Sequence, residues 1–274
     1  MKLRNKVAIN TAGAAIAVGA LLCIFSGSVT GANLSAMDIM KKTNEARQLE
    51  GSEAVMQLTI KNSKGDKRVR KIAMVSKLFD SGKTEKRVYR FLAPADVKGT
   101  GILAFDYENK NDDMWIYLPA LRKTRRIVTS ERAKSFMGSE FSYADMNSPT
   151  LSDYNFRIVK EESVDGVNCW KIEAKPKNDA VAEDEGYSSK NVWVAKDEFT
   201  IRKAEYFDLD GELLKVLTSR NIVMVDSAKK RYRSKYMAMT NKQNGRESIF
   251  EIEKIENVPN TKDSYFTTGY LERP

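Results

Sequence analysis

Apolar and polar positions alternate along most of this chain. Ala54, Met56, Leu58 and Ile60 alternate with Val55, Gln57 and Thr59, the period of a strand with one buried face. Asn62-Ser63-Lys64-Gly65-Asp66 reads as a hairpin turn, and Arg68–Lys77 as the returning strand. Further strands are predicted at Arg87–Phe91, Ile102–Tyr107, Met114–Leu118 and a basic stretch around Arg122–Arg126. Later ones fall at Tyr154–Lys160, Val167–Ala174, Val192–Ala195, Ile201–Phe207, Leu213–Val225, Arg231–Thr240 and Ser248–Ile255. Asp165-Gly166, Asp210-Gly211 and Asn244-Gly245 punctuate them. About eleven or twelve strands with short turns predict one antiparallel meander, and a sheet of that size curls or closes.

Helical signals are few. Ser35-Ala36-Met37-Asp38 fits a capping box, with an apolar stripe of Leu34, Met37 and Met40, and Gly51 ends the element. A helix is therefore expected within Asn33–Glu50. A second helix start is read at Ser130, leading into an aromatic, Met-rich loop that reaches Asn147. Met114-Trp115-Ile116-Tyr117-Leu118 breaks the alternation, being apolar on both faces. Such a strand needs cover on both sides, or lines a cavity on one side and meets a helix on the other. The two helical segments are the available covers.

The N-terminus changes the picture. Lys2, Arg4 and Lys6 precede an uninterrupted apolar run, Ala12–Phe25, and small residues lead to Thr30-Gly31-Ala32. This is the pattern of an export signal, expected at residues 1–32 and cleaved from a single domain at residues 33–274. An uncleaved inner-membrane anchor is the alternative, although the run is short of the roughly 20 residues a spanning helix needs. Cys23 raises a lipoprotein signal, but Leu22 stands where lipid attachment needs a small residue. Export points to the periplasm.

The chain carries 46 Lys and Arg against 37 Asp and Glu, a net charge of +9. Three of those basic residues lie in the signal, so the mature chain is still positive. In an exported protein this balance suits anionic lipid headgroups or acidic protein surfaces, not nucleic acid. After cleavage only Cys169 remains, so no internal disulfide can form, and its place beside Trp170 suggests core packing.

Histidine is absent. That excludes Ser-His-Asp and Cys-His catalysis and histidine zinc sites. No paired carboxylate or lysine motif nominates an active site, so the chain reads as a non-enzyme with no cofactor and no metal.

Four constellations remain. Met56, Leu58, Met74, Tyr89, Phe91, Leu103, Phe105, Trp115, Tyr117, Phe250 and Ile252 sit at strand positions able to face one concavity. The alternatives are a ligand cavity and a filled core. Met is flexible, so it lines surfaces that adapt to variable apolar partners. Arg122, Lys123, Arg125 and Arg126 could recognise lipid headgroups, dock on a partner, or protect an edge. Alternation places Arg122 with Arg126 and Lys123 with Arg125. Phe136, Met137, Phe141, Tyr143 and Met146 would anchor a movable lid, or a static plug, within Ser135–Pro149. Glu183-Asp184-Glu185 reads as a solvated loop without calcium-ligand spacing.

Asp113–Met146, with the preceding Pro94-Ala95-Asp96-Val97-Lys98-Gly99-Thr100-Gly101, resembles the outer-membrane lipoprotein-sorting proteins, the LolA-like periplasmic carriers. The general likeness runs from about Ser35 to the closing Tyr270-Leu271-Glu272-Arg273-Pro274. The resemblance implies a mainly β (α+β) fold, a half-open barrel of about eleven strands covered by short helices. It also implies a monomeric carrier that collects a lipid or lipoprotein at the inner membrane, with a membrane transporter, and delivers it outward. A sensor or adaptor of the same fold, bound to a membrane-protein partner, is the competing reading.

Overall fold

The computed structural model describes residues 34–273, so the expected signal segment lies outside the described residues. Thirteen strands join in one antiparallel sheet. The first six are β1 (Gly51–Lys61), β2 (Lys67–Phe79), β3 (Thr84–Ala93), β4 (Gly101–Tyr107), β5 (Asp113–Leu118) and β6 (Lys123–Arg126). The rest are β7 (Tyr154–Val164), β8 (Val167–Pro176), β9 (Ser189–Ala195), β10 (Ile201–Phe207), β11 (Leu213–Asp226), β12 (Arg231–Asn241) and β13 (Glu247–Asn257). Each strand predicted from alternation is present, and the sheet is the open, curled antiparallel form expected. The count is slightly above the expected eleven or twelve, and the short basic β6 is a full member, pairing Lys123–Arg126 with Trp115–Leu118.

The strand order is β6-β5-β4-β3-β2-β1-β13-β12-β11-β10-β9-β8-β7. Consecutive strands are neighbours except at one point: β6 and β7 occupy opposite edges. The chain between them, Ile127–Asp153, must therefore travel from one edge of the curled sheet to the other. It does so across the concave face.

One helix joins it there. In α1 (Ala36–Arg47) the Ser35 hydroxyl accepts from the Asp38 amide at 3.1 Å and the Ser35 amide donates back to the Asp38 carboxylate at 3.3 Å, completing the predicted capping box, while the hydroxyl donates to the same carboxylate at 2.6 Å. That bond from Ser35 also holds the Asp38 carboxyl below its ordinary range. The buried stripe is Ala36, Ile39, Met40, Thr43 and Ala46, so Met37 lies beside it, half-exposed.

The segment after Ser130 forms no α-helix. It is a string of short 3₁₀ turns at Thr129–Glu131, Phe136–Gly138 and Ala144–Met146. Serine chemistry explains the difference. The Ser135 hydroxyl donates to the Ser139 carbonyl at 2.5 Å, and Ser139 to the Phe136 carbonyl at 2.7 Å. These local bonds offer the backbone an alternative to the helical ladder. Met137 at φ 51° then turns the chain back on itself.

The acidic run is also more structured than a solvated loop. Asn178 caps α2 (Asp179–Glu185), its side-chain oxygen accepting from the Val181 amide at 3.0 Å. Gly186 ends the helix at φ 78°, and a β-carbon there would stand 2.9 Å from that of Ala133. Only glycine allows both the left-handed turn and this approach.

On the convex face the chain's end packs over β4 and β5. Leu103, Val88, Phe266 and Leu271 form a buried cluster, with Phe105, Trp115, Tyr117, Tyr265 and Tyr270 against it. The C-terminal helix α3 (Thr268–Leu271) is held by Arg90, which donates to the carbonyls of Leu271 (2.7 Å), Tyr270 (3.0 Å) and Gly99 (3.0 Å). A β-carbon at Gly101 would meet Leu271 at 3.0 Å. One arginine thus ties the Gly99-Thr100-Gly101 turn to the closing residues.

Candidate functional site

The concave face carries the main apolar cluster. From the sheet come Met56, Leu58, Ile72, Met74, Tyr89, Phe91, Ile102, Met114, Ile116, Phe250 and Ile252. The crossing segment descends onto it. Phe136 is fully buried, its ring 6.2 Å from Tyr89, 6.3 Å from Phe91, 5.6 Å from Tyr143 and 6.3 Å from Phe250. Phe141 packs on Phe250 at 4.9 Å. Burying a phenylalanine stabilises the docked state by about 1.5–3 kcal/mol.

Polar bonds latch the same segment. The Arg87 guanidinium donates to the Met146 carbonyl at 2.6 Å, and Arg70 bonds the Met137 carbonyl. The Asp106 carboxylate accepts from the Ser148 amide and hydroxyl, both at 2.9 Å. Glu140 is buried, where it pairs with Arg246 at 2.9 Å and accepts from Asn241 at 2.9 Å. Tyr187 donates to Asp145 at 3.0 Å.

The segment does not fill the concavity. A hollow of about 280 Å³ remains between it, α1 and the sheet. Met56, Met74, Tyr89, Phe250 and Ile252 line its floor, with Leu217, Met237 and Met239 on the β11–β12 side. Phe141 and Met146 roof it, and α1 contributes Thr43 and Ala46. Phe199, between β9 and β10, also reaches it.

Of the eleven predicted cavity residues, five border this hollow. Leu58 and Phe91 face the same way but lie in the packed cluster. Leu103, Phe105, Trp115 and Tyr117 belong to the convex face instead. The reason is register: Tyr89 pairs with Ile102 and Ile102 with Ile116, so the inward residues of β4 and β5 are Ile102, Ala104, Met114 and Ile116. The Met114–Leu118 strand is covered inside by the crossing segment and outside by the C-terminal residues.

Of the five predicted lid residues, Phe136 is buried, Phe141 and Met146 roof the hollow, and Met137 and Tyr143 are partly buried against the cluster. The basic residues divide differently from expectation. Arg122 lies outside β6, in a left-handed turn at φ 46°, so it shares no strand face with Arg126. Arg125 pairs with Glu131 at 2.7 Å and Arg126 with Asp113. Arg122 and Lys123 are exposed and form no ion pair among the described residues. None of the four borders the hollow.

Sequence reasoning missed a charged wall at one end of the hollow. Glu85, Arg87 and Asp106 are each buried, and Arg47 joins Asp106 at 3.4 Å. Arg87 bonds Asp106 directly and stands 3.9 Å from Glu85. Burial works against the Glu85 charge, but Arg87, Arg47 and Arg233 overcome it and hold its carboxyl below the ordinary range. Nearby, burial and the Asp106 charge push Asp112 up to about 6, even with Arg132 at 3.4 Å. A second buried group forms where Glu185 meets Arg132 (3.1 Å) and Lys190 (3.0 Å). The only sequence hint was charge at strand positions whose parity points inward. Cys169 is buried against Trp193 and Ala195, a packing residue whose thiol burial pushes up. Among the described residues no cluster of carboxylates and cysteine is arranged to hold a metal, and no helix is long and apolar enough to cross a membrane.

An open curled sheet whose concave face is bridged by an edge-to-edge segment over an apolar hollow is the architecture of the LolA-like folds. The chain belongs to the LolA-like outer-membrane lipoprotein-sorting family. A family model described as "Uncharacterized protein" matches residues 83–273. A crystallised outer membrane lipoprotein-sorting protein domain from Vibrio parahaemolyticus is 30% identical, with a TM-score of 0.79 over 87% of this chain and 98% of its own. A DUF1329 family protein from Desulfovibrio piger is 28% identical, with a TM-score of 0.80 over 86% of this chain and 97% of its own. A LolA superfamily protein from Nitrosomonas europaea, 20% identical with a TM-score of 0.65 over 86% and 99%, shares the fold. The search of curated proteins returns no match.

Proposed function

We propose that the protein is a non-enzymatic, monomeric periplasmic carrier that shelters acyl chains of a lipid or lipoprotein and ferries them toward the outer membrane. The observation that carries this is the hollow of about 280 Å³, walled by methionines and aromatics and roofed by a segment tied across the sheet. Each methylene exposed to water costs about 0.8 kcal/mol, so a sixteen-carbon tail costs about 13 kcal/mol to move unprotected. Five methionines on the wall, Met56, Met74, Met146, Met237 and Met239, can adjust to tails of different shape. Loading and release would require the aromatic anchors and carbonyl latches of the roof to part.

Loading and release would use an inner-membrane transporter as partner. Arg122 and Lys123, on the free edge beside exposed Leu121, suit docking to an acidic surface. The test is native mass spectrometry of the mature chain purified by mild extraction. A lipid adduct is expected, and Ala46→Trp, which fills the hollow from α1, should remove it. An intact protein that never carries acyl mass would remove the carrier reading and favour a sensor or adaptor.

A further inference from the structure

The ladder between β12 and β13 closes over only part of its length. Pairing runs from Thr240 with Glu247 to Tyr236 with Glu251, and stops there. Yet β12 stays paired with β11 as far as Arg231 with Asp226. On the other side β13 stays paired with β1 out to Asn257 with Ser52. The sheet therefore splits. Residues Arg231–Lys235 form one lip and Ile252–Asn257 the other.

Both lips border the hollow, one through Tyr232, Arg233 and Ser234 and the other through Ile252 and Ile255. Ile252 also borders an open groove on the outer side, beside Gln57, Asn221, Lys235 and Glu251. Hollow and groove share this residue where the ladder is open, and this opening between the two lips is a slot in the hydrogen-bonded wall.

The charges at the slot do not balance. Arg47, Arg87 and Arg233 face Glu85 and Asp106, three guanidiniums against two carboxylates. Arg47 and Arg87 are the ones that hold carboxylates. Arg233 donates only to the carbonyl of its neighbour Tyr232, at 3.2 Å. Burial depresses its pKa to about 10 against the support of the Glu85 charge, so it stays charged at neutral pH, yet it makes no direct ion pair among the described residues. The Nε of Arg87 is buried without a hydrogen-bond partner. A half-buried guanidinium without a directly paired anion, beside a buried unpartnered Nε, is a place where an anion supplied by a ligand gains charge-assisted hydrogen bonds.

We propose that the slot between β12 and β13 seats a compact anionic headgroup, a carboxylate or phosphate monoester, on Arg233 and the Arg87 Nε, with the tail running inward past Met237 and Met239. This rests on the carrier reading and narrows its cargo to anionic amphiphiles. Guanidinium forks suit both head chemistries, and a hydrogen bond to a charged group is among the stronger kinds.

The test is titration of the mature chain with laurate, dodecyl phosphate, dodecanol and inorganic phosphate. The anionic tailed ligands should bind at least tenfold more tightly than dodecanol, and the tighter of the two identifies the head. Arg233→Gln should abolish that preference, and Arg233→Lys should restore part of it. Equal binding of laurate, dodecyl phosphate and dodecanol by the unmodified protein would overturn the headgroup site and leave the carrier reading standing. Inorganic phosphate bound as tightly as dodecyl phosphate would also overturn it, because the tail would add nothing. No binding of any tailed ligand would remove both readings. The comparison among ligands needs no variant, so it holds even if Arg233→Gln does not fold.

Discussion

Truncating Phe136 tests the roof. Its ring is fully buried and lies within 6.3 Å of four aromatic rings, from β3, β13 and its own segment. Phe136→Ala removes that packing and leaves a void beside an existing hollow. Buried Phe→Ala changes cost about 3–5 kcal/mol, the lower end applying where surroundings collapse. The backbone here is pinned by the Phe136 amide to the Phe141 carbonyl at 2.7 Å, which resists collapse, so about 4 kcal/mol is expected. Phe141→Ala should cost less, about 2–3 kcal/mol, because Phe141 already faces the hollow and makes one close aromatic contact. Urea unfolding followed by tyrosine and tryptophan fluorescence measures both. Amide exchange locates the effect: protection should fall at Phe136 and Tyr143 while β1 and β13 keep theirs. A loss below about 1 kcal/mol for Phe136→Ala, with unchanged exchange, would refute the reasoning, because the ring would not be what holds the roof down.

Three further outcomes follow from the polar groups. Asp112 sits near pH 6 because of burial and Asp106, so between about pH 4 and 6 the folded chain keeps a proton the unfolded chain has released. Its contribution is complete below about pH 4 and is lost as pH rises through 6, about 3 kcal/mol at the most. Asp112→Asn should therefore flatten the pH dependence of the unfolding midpoint over that window; parallel curves would contradict it. Arg90→Met leaves three carbonyls of the Gly99 turn and α3 without their donor and should cost about 2–4 kcal/mol, with accelerated exchange at residues 266–273. Unchanged exchange there would show that the C-terminal residues are held by packing alone. Glu185→Ala strips Arg132 and Lys190 of a shared buried anion and should cost about 3–5 kcal/mol in urea unfolding; a change under about 1 kcal/mol would mean the pair stays solvated.

Strand positions were legible because one-sided burial writes itself as alternation, as in Ala54–Ile60. The capped helix was legible because a Ser35–Asp38 box is a local device. Faces were not legible where both sides are apolar: Met114–Leu118 carries no parity signal, and Leu103 and Phe105 are as hydrophobic as Ile102. Only the pairing with β3 decides them. The segment after Ser130 misled for a different reason. Its serines satisfy the backbone locally, and its anchors find their partners in β3 and β13, far away in sequence. The charged wall was hidden because Glu85, Arg87, Asp106 and Arg233 are ordinary strand charges until the curl brings them together. The split between β12 and β13 was not legible: Ile252 and Ile255 stand three apart, which signals the bulge opposite Val55 and Met56 but not where the pairing with β12 stops.

Methionine methyl NMR tests the account most directly. With ¹³C-methyl methionine in residues 33–274 and a perdeuterated lauryl amphiphile added, the signals of Met56, Met74, Met146, Met237 and Met239 should shift together. Exposed Met224 and half-exposed Met37 should stay put. Shifts at Met224 or Met37 while the five wall methionines remain unmoved would contradict an acyl chain inside the sheet.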